Sequence, residues 1–149
     1  MPTVARAART DAGLASELRL AVMRLRRRLA VERHPDNELS LSQMTVLGTL
    51  FRHGEMTIGE VAAHERVQPP SMTRTVTGLV EGGYVARRSH AADGRQVLVA
   101  LTDLGRRTVL ADRDRRDAWL ARQLSHLTPQ ERALLRQAAP LLDRLAQTE

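Results

Sequence analysis

Apolar residues recur every three to four positions through most of the chain, and the breaks between these stripes mark its elements. After residues 1–10, which read as a flexible basic arm, a stripe of Leu14, Leu18, Ala21, Leu25 and Leu29 predicts a helix from Asp11. It should stop near His34-Pro35, because the residue before proline avoids the α region. Ser40-x-x-Gln43 is a capping box for a second helix with Met44, Leu47, Leu50 and Phe51 on one side, ended by His53-Gly54. Thr57-Ile58-Gly59-Glu60 is another box, opening a short helix with Ile58, Val61 and Ala62 inward. Val67-Gln68 reads as a turn, after which Pro69 or Pro70 starts a fourth helix carrying Met72, Val76, Leu79 and Val80. That helix should run to Glu81 and stop at Gly82-Gly83.

Beyond the glycines the period shortens to two. Residues 84–88 and 96–101 read as strands of a hairpin, with Asp93-Gly94 supplying the turn. Thr102 caps a long helix over roughly residues 103–125, and Thr128-Pro129-x-Glu131 starts a last one bearing Leu134, Leu135, Ala138, Leu141, Leu142 and Leu145. The order predicts a mainly α protein with a small β-hairpin wing (α+β): a winged helix-turn-helix over residues 40–101. The flanking helices, 11–34 and 103–149, belong to the same single domain, 11–149.

The fourth helix is the candidate reading element. Opposite its apolar stripe lie Ser71, Arg74, Thr75 and Gly78, flanked by Thr73 and Thr77, with Pro69 and Pro70 at the exposed start. Short hydroxylic side chains let a helix approach the floor of a DNA major groove, and Arg74 fits a guanine edge or a phosphate. A solvated amphipathic helix would show the same wheel. The capped helix before it, the tight turn and the hairpin after it favour the reading head. On the wing, Arg87, Arg88 and His90 precede the tip, and Asp93, Gly94 and Arg95 form it. An arginine there suits a narrow minor groove, while Asp93 would bond the turn amides. Arg87 and Arg88 would also serve simply to keep an edge strand from pairing. Thr57 and Gln68, at the starts of the two helices of the pair, are candidate contacts to the DNA backbone.

Charge changes the picture slightly. All 23 basic residues are arginine, and the formal net charge is +6. This favours a polyanionic partner, although the choice of Arg over Lys is as well explained by base composition. With one Phe, one Tyr and one Trp, the chain lacks a stacking platform for single strands. Absence of Cys removes thiol redox sensing and thiolate metal sites. Five scattered histidines, with only Glu60 and His64 at helical spacing, do not make a metal site. The run DRDRRD (112–117) reads as a solvated face.

From TIGEVAAHERVQPPSMTRTVTGLVEGGYVARR through DGRQVLVALTDLGRR the sequence resembles the multiple antibiotic resistance regulator (MarR) family of winged-helix repressors. The resemblance rests on Asp93 and Arg95 at the wing tip, Thr73-Arg74, the exit Leu79, Gly83, Tyr84 and Val85, and Leu101-Thr102-x-x-Gly105. It covers about 50 residues sharply and the helix order nearly throughout. It implies a homodimer held by the terminal helices, bound to a pseudo-palindromic duplex DNA operator. It further implies release by a small aromatic or phenolic effector, whose pocket residues the sequence does not identify. The apolar excess on the terminal helices agrees with dimerisation. No cofactor is expected, no membrane span or secretory segment is legible, and a cytoplasmic location follows as the expectation. No nucleophile–base spacing or phosphate loop suggests an enzyme. The alternative is a winged-helix module binding protein or structured RNA.

Overall fold

The computed structural model describes residues 10–148, so most of the basic arm lies outside the described residues. Thr10 is its exception: it is the N-cap of α1 (Asp11–Val31), accepting a bond from Gly13 N at 3.1 Å. There follow α2 (Leu41–His53), β1 (Met56–Thr57), α3 (Ile58–Glu65), α4 (Pro69–Glu81), β2 (Val85–Ser89), β3 (Val97–Leu101), α5 (Asp103–Ser125) and α6 (Pro129–Gln147). Helix α1 ends before His34, at Val31, with Glu32 as its C-cap.

The capping boxes at Ser40/Gln43, Thr57/Glu60 and Thr128/Glu131 all form, each satisfying two otherwise orphaned amides. The expected two-stranded hairpin is instead part of a three-stranded antiparallel sheet in the order β1-β3-β2. Met56 pairs with Val99 and Thr57 with Leu98. Two residues are too few to show an alternating pattern, and their partner lies some forty residues on, so local reading misses them.

The chain forms two compact units. One comprises residues 33–114, and the other joins residues 10–32 to 115–148. The core of the first is built from Val46, Leu47 and Leu50 of α2, Val61 and Ala62 of α3, Met72, Val76 and Leu79 of α4, Val85, Val99, and Val109 of α5. Fully burying each such aliphatic side chain contributes about 1.5–3 kcal/mol. The start of α5 therefore belongs with the winged unit. In the other unit, neither α1 nor the described part of α6 buries a single residue.

Two local devices set the head's geometry. Helix α3 ends with Arg66 in the left-handed region (φ 54°), while Val67 N bonds Ala62 O at 3.0 Å. This closes the helix as a glycine would, at a cost of about 1–2 kcal/mol for a side chain with a Cβ. At the other end of the head, the Leu-Thr-x-x-Gly segment clasps the exit from α4. Thr102 donates its hydroxyl to Gly83 O at 2.6 Å and its amide to Tyr84 O at 3.1 Å, and accepts from Gly105 N at 3.2 Å. Gly83 takes φ +79°, and a Cβ on Gly105 would sit 2.1 Å from Tyr84 O. Only glycine allows that approach of α5 to the strand entrance.

The acidic-basic run at 112–117 is not wholly a solvated face. Asp112 is fully buried and accepts from His34 N at 3.1 Å and Asn37 Nδ2 at 2.8 Å. Asn37 Oδ1 in turn accepts from Leu39 N at 3.0 Å and Arg33 Nη2 at 3.1 Å. Burial by the 33–39 loop turns a formally charged helix position into the anchor of that loop.

Candidate nucleic-acid interface

Helix α4 is positioned by its stripe. Met72, Val76 and Leu79 are buried, Val80 is half-buried, and the opposite side faces outward. Pro69 and Pro70 occupy the first two helical positions, so neither missing amide leaves a gap in the ladder. Gln68 is the N-cap, exposed, and its side chain makes no capping bond. With no N–H on Pro69 or Pro70 and Met72 N bonded to Gln68 O, the start of α4 offers an anion the Ser71 amide and the uncommitted Gln68 carboxamide. Thr57 caps α3: its hydroxyl oxygen accepts from Glu60 N at 3.1 Å.

Ser71, Thr73 and Arg74 are exposed, and Thr75 is half-buried. Thr73 donates its hydroxyl to Pro69 O at 3.0 Å and Thr75 to Ser71 O at 3.1 Å. With their protons turned back into the helix, both present an acceptor oxygen and a methyl group. Gly78 is not on the open face as its wheel position suggested. A Cβ there would lie 3.1 Å from Gln43 Nε2 of α2, so Gln43 covers that end of the face. The open surface of α4 is its N-terminal half.

The wing tip is organised by its own side chains. His90 Nδ1 accepts from Ala92 N at 3.1 Å and Asp93 N at 3.3 Å, while Asp93 Oδ1 accepts from Arg95 N at 3.0 Å. His90 and Asp93 thus hold the turn, Asp93 through the Arg95 amide as its sequence position implies. Gly94 has open space where a side chain would project, and Arg95 is exposed. Arg87 and Arg88 behave differently from Arg95. Arg87 Nη2 donates to Thr77 Oγ1 of α4 at 2.9 Å. Arg88 is ion-paired with Glu55, a residue that sequence reasoning overlooked because nothing local links it to a strand 33 positions away. Among the described residues, the guanidinium groups of Arg74 and Arg95 are the ones on α4 and the wing tip that engage no protein partner.

Other candidate chemistry is sparse. Glu60, at helical spacing from His64, turns its carboxylate back to accept from Thr57 N at 2.9 Å. His64 instead lies 3.7 Å from Glu65, with its ring 4.7 Å from that of His53. No three His, Asp or Glu side chains among the described residues gather as a metal site would require. A cavity of about 250 Å³ opens within the winged unit beside Tyr84, Leu104, Arg107 and Ala111, with Asn37 and Asp112 on its polar side. Phe51 is covered by Arg113 at 4.4 Å and Arg106 at 5.5 Å, and Trp119 by Arg28 at 4.5 Å. Tyr84 is thus the aromatic that lines a cavity.

A sequence model of the MarR family matches residues 39–97, which span α2 through the wing. An HTH-type transcriptional regulator of Mycobacterium bovis is 50% identical over 133 residues, covering 89% of this chain and 92% of its own length. The chain belongs to the MarR family. The Bacillus subtilis HTH-type transcriptional repressor MdtR is 31% identical over 140 residues, 90% of this chain and 86% of its own. A crystal structure of a Pseudomonas aeruginosa protein described as a transcriptional regulator matches with TM-score 0.82 at 38% identity, covering 93% of this chain and 96% of that one. This chain is accordingly a MarR-family transcriptional regulator, a class whose winged helix-turn-helix binds DNA. No helix among the described residues is long and apolar enough to cross a membrane.

Proposed function

We propose that this MarR-family chain acts as a homodimeric repressor of its own or neighbouring genes, reading a pseudo-palindromic duplex operator and released by a small aromatic or phenolic ligand. The observation that carries the reading is the uncommitted N-terminal face of α4, Ser71-x-Thr73-Arg74, beside a wing tip whose Arg95 is equally uncommitted. Helix α4 enters the major groove by that end. Arg74 takes a guanine edge or a phosphate, and Thr73 offers its methyl to thymine and its lone pairs to the amino groups of adenine or cytosine. Gln68 and the Ser71 amide of α4 take a phosphate, Thr57 stands at the start of α3 for another, and Arg95 reaches the adjacent minor groove.

Dimerisation is supported by the terminal helices. Leu14, Met23 and Leu25 of α1 and Leu134, Leu141 and Leu145 of α6 are each 44–66% exposed. Helices of this length with no buried side chain need a second copy to cover them. Ligand response is supported by the cavity at Tyr84, whose size suits a single-ring molecule and whose Arg107 suits an acidic group on it.

The test is a mobility-shift titration on the promoter region beside the chain's own gene, with salt varied and random duplex as the control. Retention of operator preference at moderate salt, with two half-sites protected one helical turn apart, is the expected result. Equal affinity for random duplex would remove the repressor reading and favour a module for protein or structured RNA.

A further inference from the structure

Arg87 and Arg88 are adjacent on β2, so their side chains leave opposite faces of the sheet. Arg87 stands opposite Val99, which is buried, and Arg88 opposite Leu98. Arg87 therefore extends on the core-side face, where it bonds Thr77 in the second half of α4. Arg88 extends on the other face. There Thr57 is the partner of Leu98 on the far side of β3, and Glu55 is the residue just before β1. The Arg88–Glu55 ion pair thus joins β2 to the segment leading into β1, on the far side of β3. One bond ties the wing to the reading helix, and the other ties it across the sheet to the entrance of α3.

We propose that Arg87 and Arg88 are positioning residues rather than phosphate contacts, and that Thr77 and Glu55 complete a two-faced brace that holds the wing beside α4. The inference rests on the DNA-reading function proposed above. It reassigns three residues that the sequence pattern placed at the DNA. Glu55 itself argues for it: a carboxylate beside Arg88 would repel a phosphate brought to that guanidinium. The free cations are Arg74, in the N-terminal half of α4, and Arg95, at the wing tip. The braced ones lie on strand β2 behind that tip.

The two roles predict opposite signs for one substitution. Removing a carboxylate from a surface that merely faces DNA strengthens binding, because the polyanion is repelled less. Removing it from a brace weakens binding. The full chain is titrated with the promoter duplex and with random duplex at several salt concentrations. Glu55→Ala should lose about three- to fivefold in affinity, the scale of an exposed ion pair. Arg88→Ala should match it, with the salt slope of either within error of the parent protein's. The swap Glu55→Arg with Arg88→Glu should recover affinity to within about twofold, and Thr77→Val should reproduce Arg87→Ala. Tighter binding by Glu55→Ala, or a salt slope lowered by about one in Arg88→Ala with no recovery in the swap, overturns the brace.

Hydrogen exchange of residues 85–101 in the free protein separates this from failure of the DNA reading itself. If the parent protein shows no operator preference, the repressor proposal fails. The brace then stands or falls on whether Glu55→Ala and Arg88→Ala accelerate wing exchange alike and the swap restores it. Wing exchange unchanged in all three overturns it.

Discussion

Residues 33–114 contain every buried side chain among the described residues, including the core of α2, α3 and α4; the helices of the other unit bury none. Charge divides just as sharply. Residues 33–114 hold ten arginines against ten acidic residues, so this unit is formally neutral. The whole excess of +6 falls in residues 1–32 and 115–149, with 13 arginines against seven acids. The unit that carries the winged helix-turn-helix is therefore not the basic one. Net charge pointed to a polyanion without saying where it would bind, and the placement of a few uncommitted arginines says more than their number. The winged unit thus carries its own hydrophobic core, while the terminal helices expose apolar side chains that the proposed dimer would cover.

The most severe way to break that contrast is to charge the self-sufficient core. Met72 is 3% exposed, and Met72→Asp places an unpaired carboxylate among Val76, Leu79 and the α2 leucines. It is expected to unfold the winged unit outright, a loss of 3–5 kcal/mol or more by about the scale of an uncompensated buried charge. Circular dichroism and thermal melting read this directly. A variant that melts near the parent temperature would mean that the core of α4 is not where the structure has it.

Next in size is the corresponding change on the other unit. Leu141→Asp with Leu145→Asp alters side chains that are already 50% and 66% exposed, so a monomer would tolerate both. Light scattering is expected to show the mass falling by half, with operator affinity down at least about 100-fold because one half-site is then read alone. An unchanged mass would place the association surface elsewhere on the terminal helices.

Asp112→Ala tests the anchor of the winged unit. It leaves the His34 amide and the Asn37 carboxamide without an acceptor from this position, at about 1–3 kcal/mol. The expected readout is a lower denaturation midpoint and faster amide exchange over residues 33–39. If those amides exchange as in the parent, the loop is held by Asn37 and Arg33 alone.

These cases also show what a sequence reveals and what it hides. The three capping boxes, the proline start of α4 and the Gly82-Gly83 exit are decided within four residues, so they are visible in a single window. The open face of α4 is visible almost entirely, because a helix projects side chains at fixed angles. Gly78 is its exception, since the side chain that covers it comes from α2. Asp112 looks solvated at the head of a charged run, and only the loop 78 residues earlier makes it buried. Glu55 and Thr77 are invisible as partners for the same reason: their arginines arrive through sheet register and helix packing. Part of the resemblance to MarR proteins lay in the Leu101-Thr102-x-x-Gly105 segment, whose spacing is rigid because Gly105 lies against the Tyr84 backbone.

The smallest expected effect is also the sharpest test of how the neutral unit reads bases. Thr73→Val keeps shape and methyl group while deleting the hydroxyl whose proton already bonds Pro69 O. Loss of that back-bond is close to neutral for an exposed helix position, so the melting temperature should hold. What disappears is an acceptor aimed outward. One hydrogen bond of roughly 0.5–1.5 kcal/mol corresponds to about a two- to tenfold loss, confined to operator positions where adenine or cytosine offers an amino group. Thymine preference, which depends on the methyl, should survive. Selection from half-sites randomised at each base pair reads both at once. A uniform loss across all sequences would assign Thr73 to the DNA backbone instead, leaving Arg74 to supply base recognition on that turn of α4.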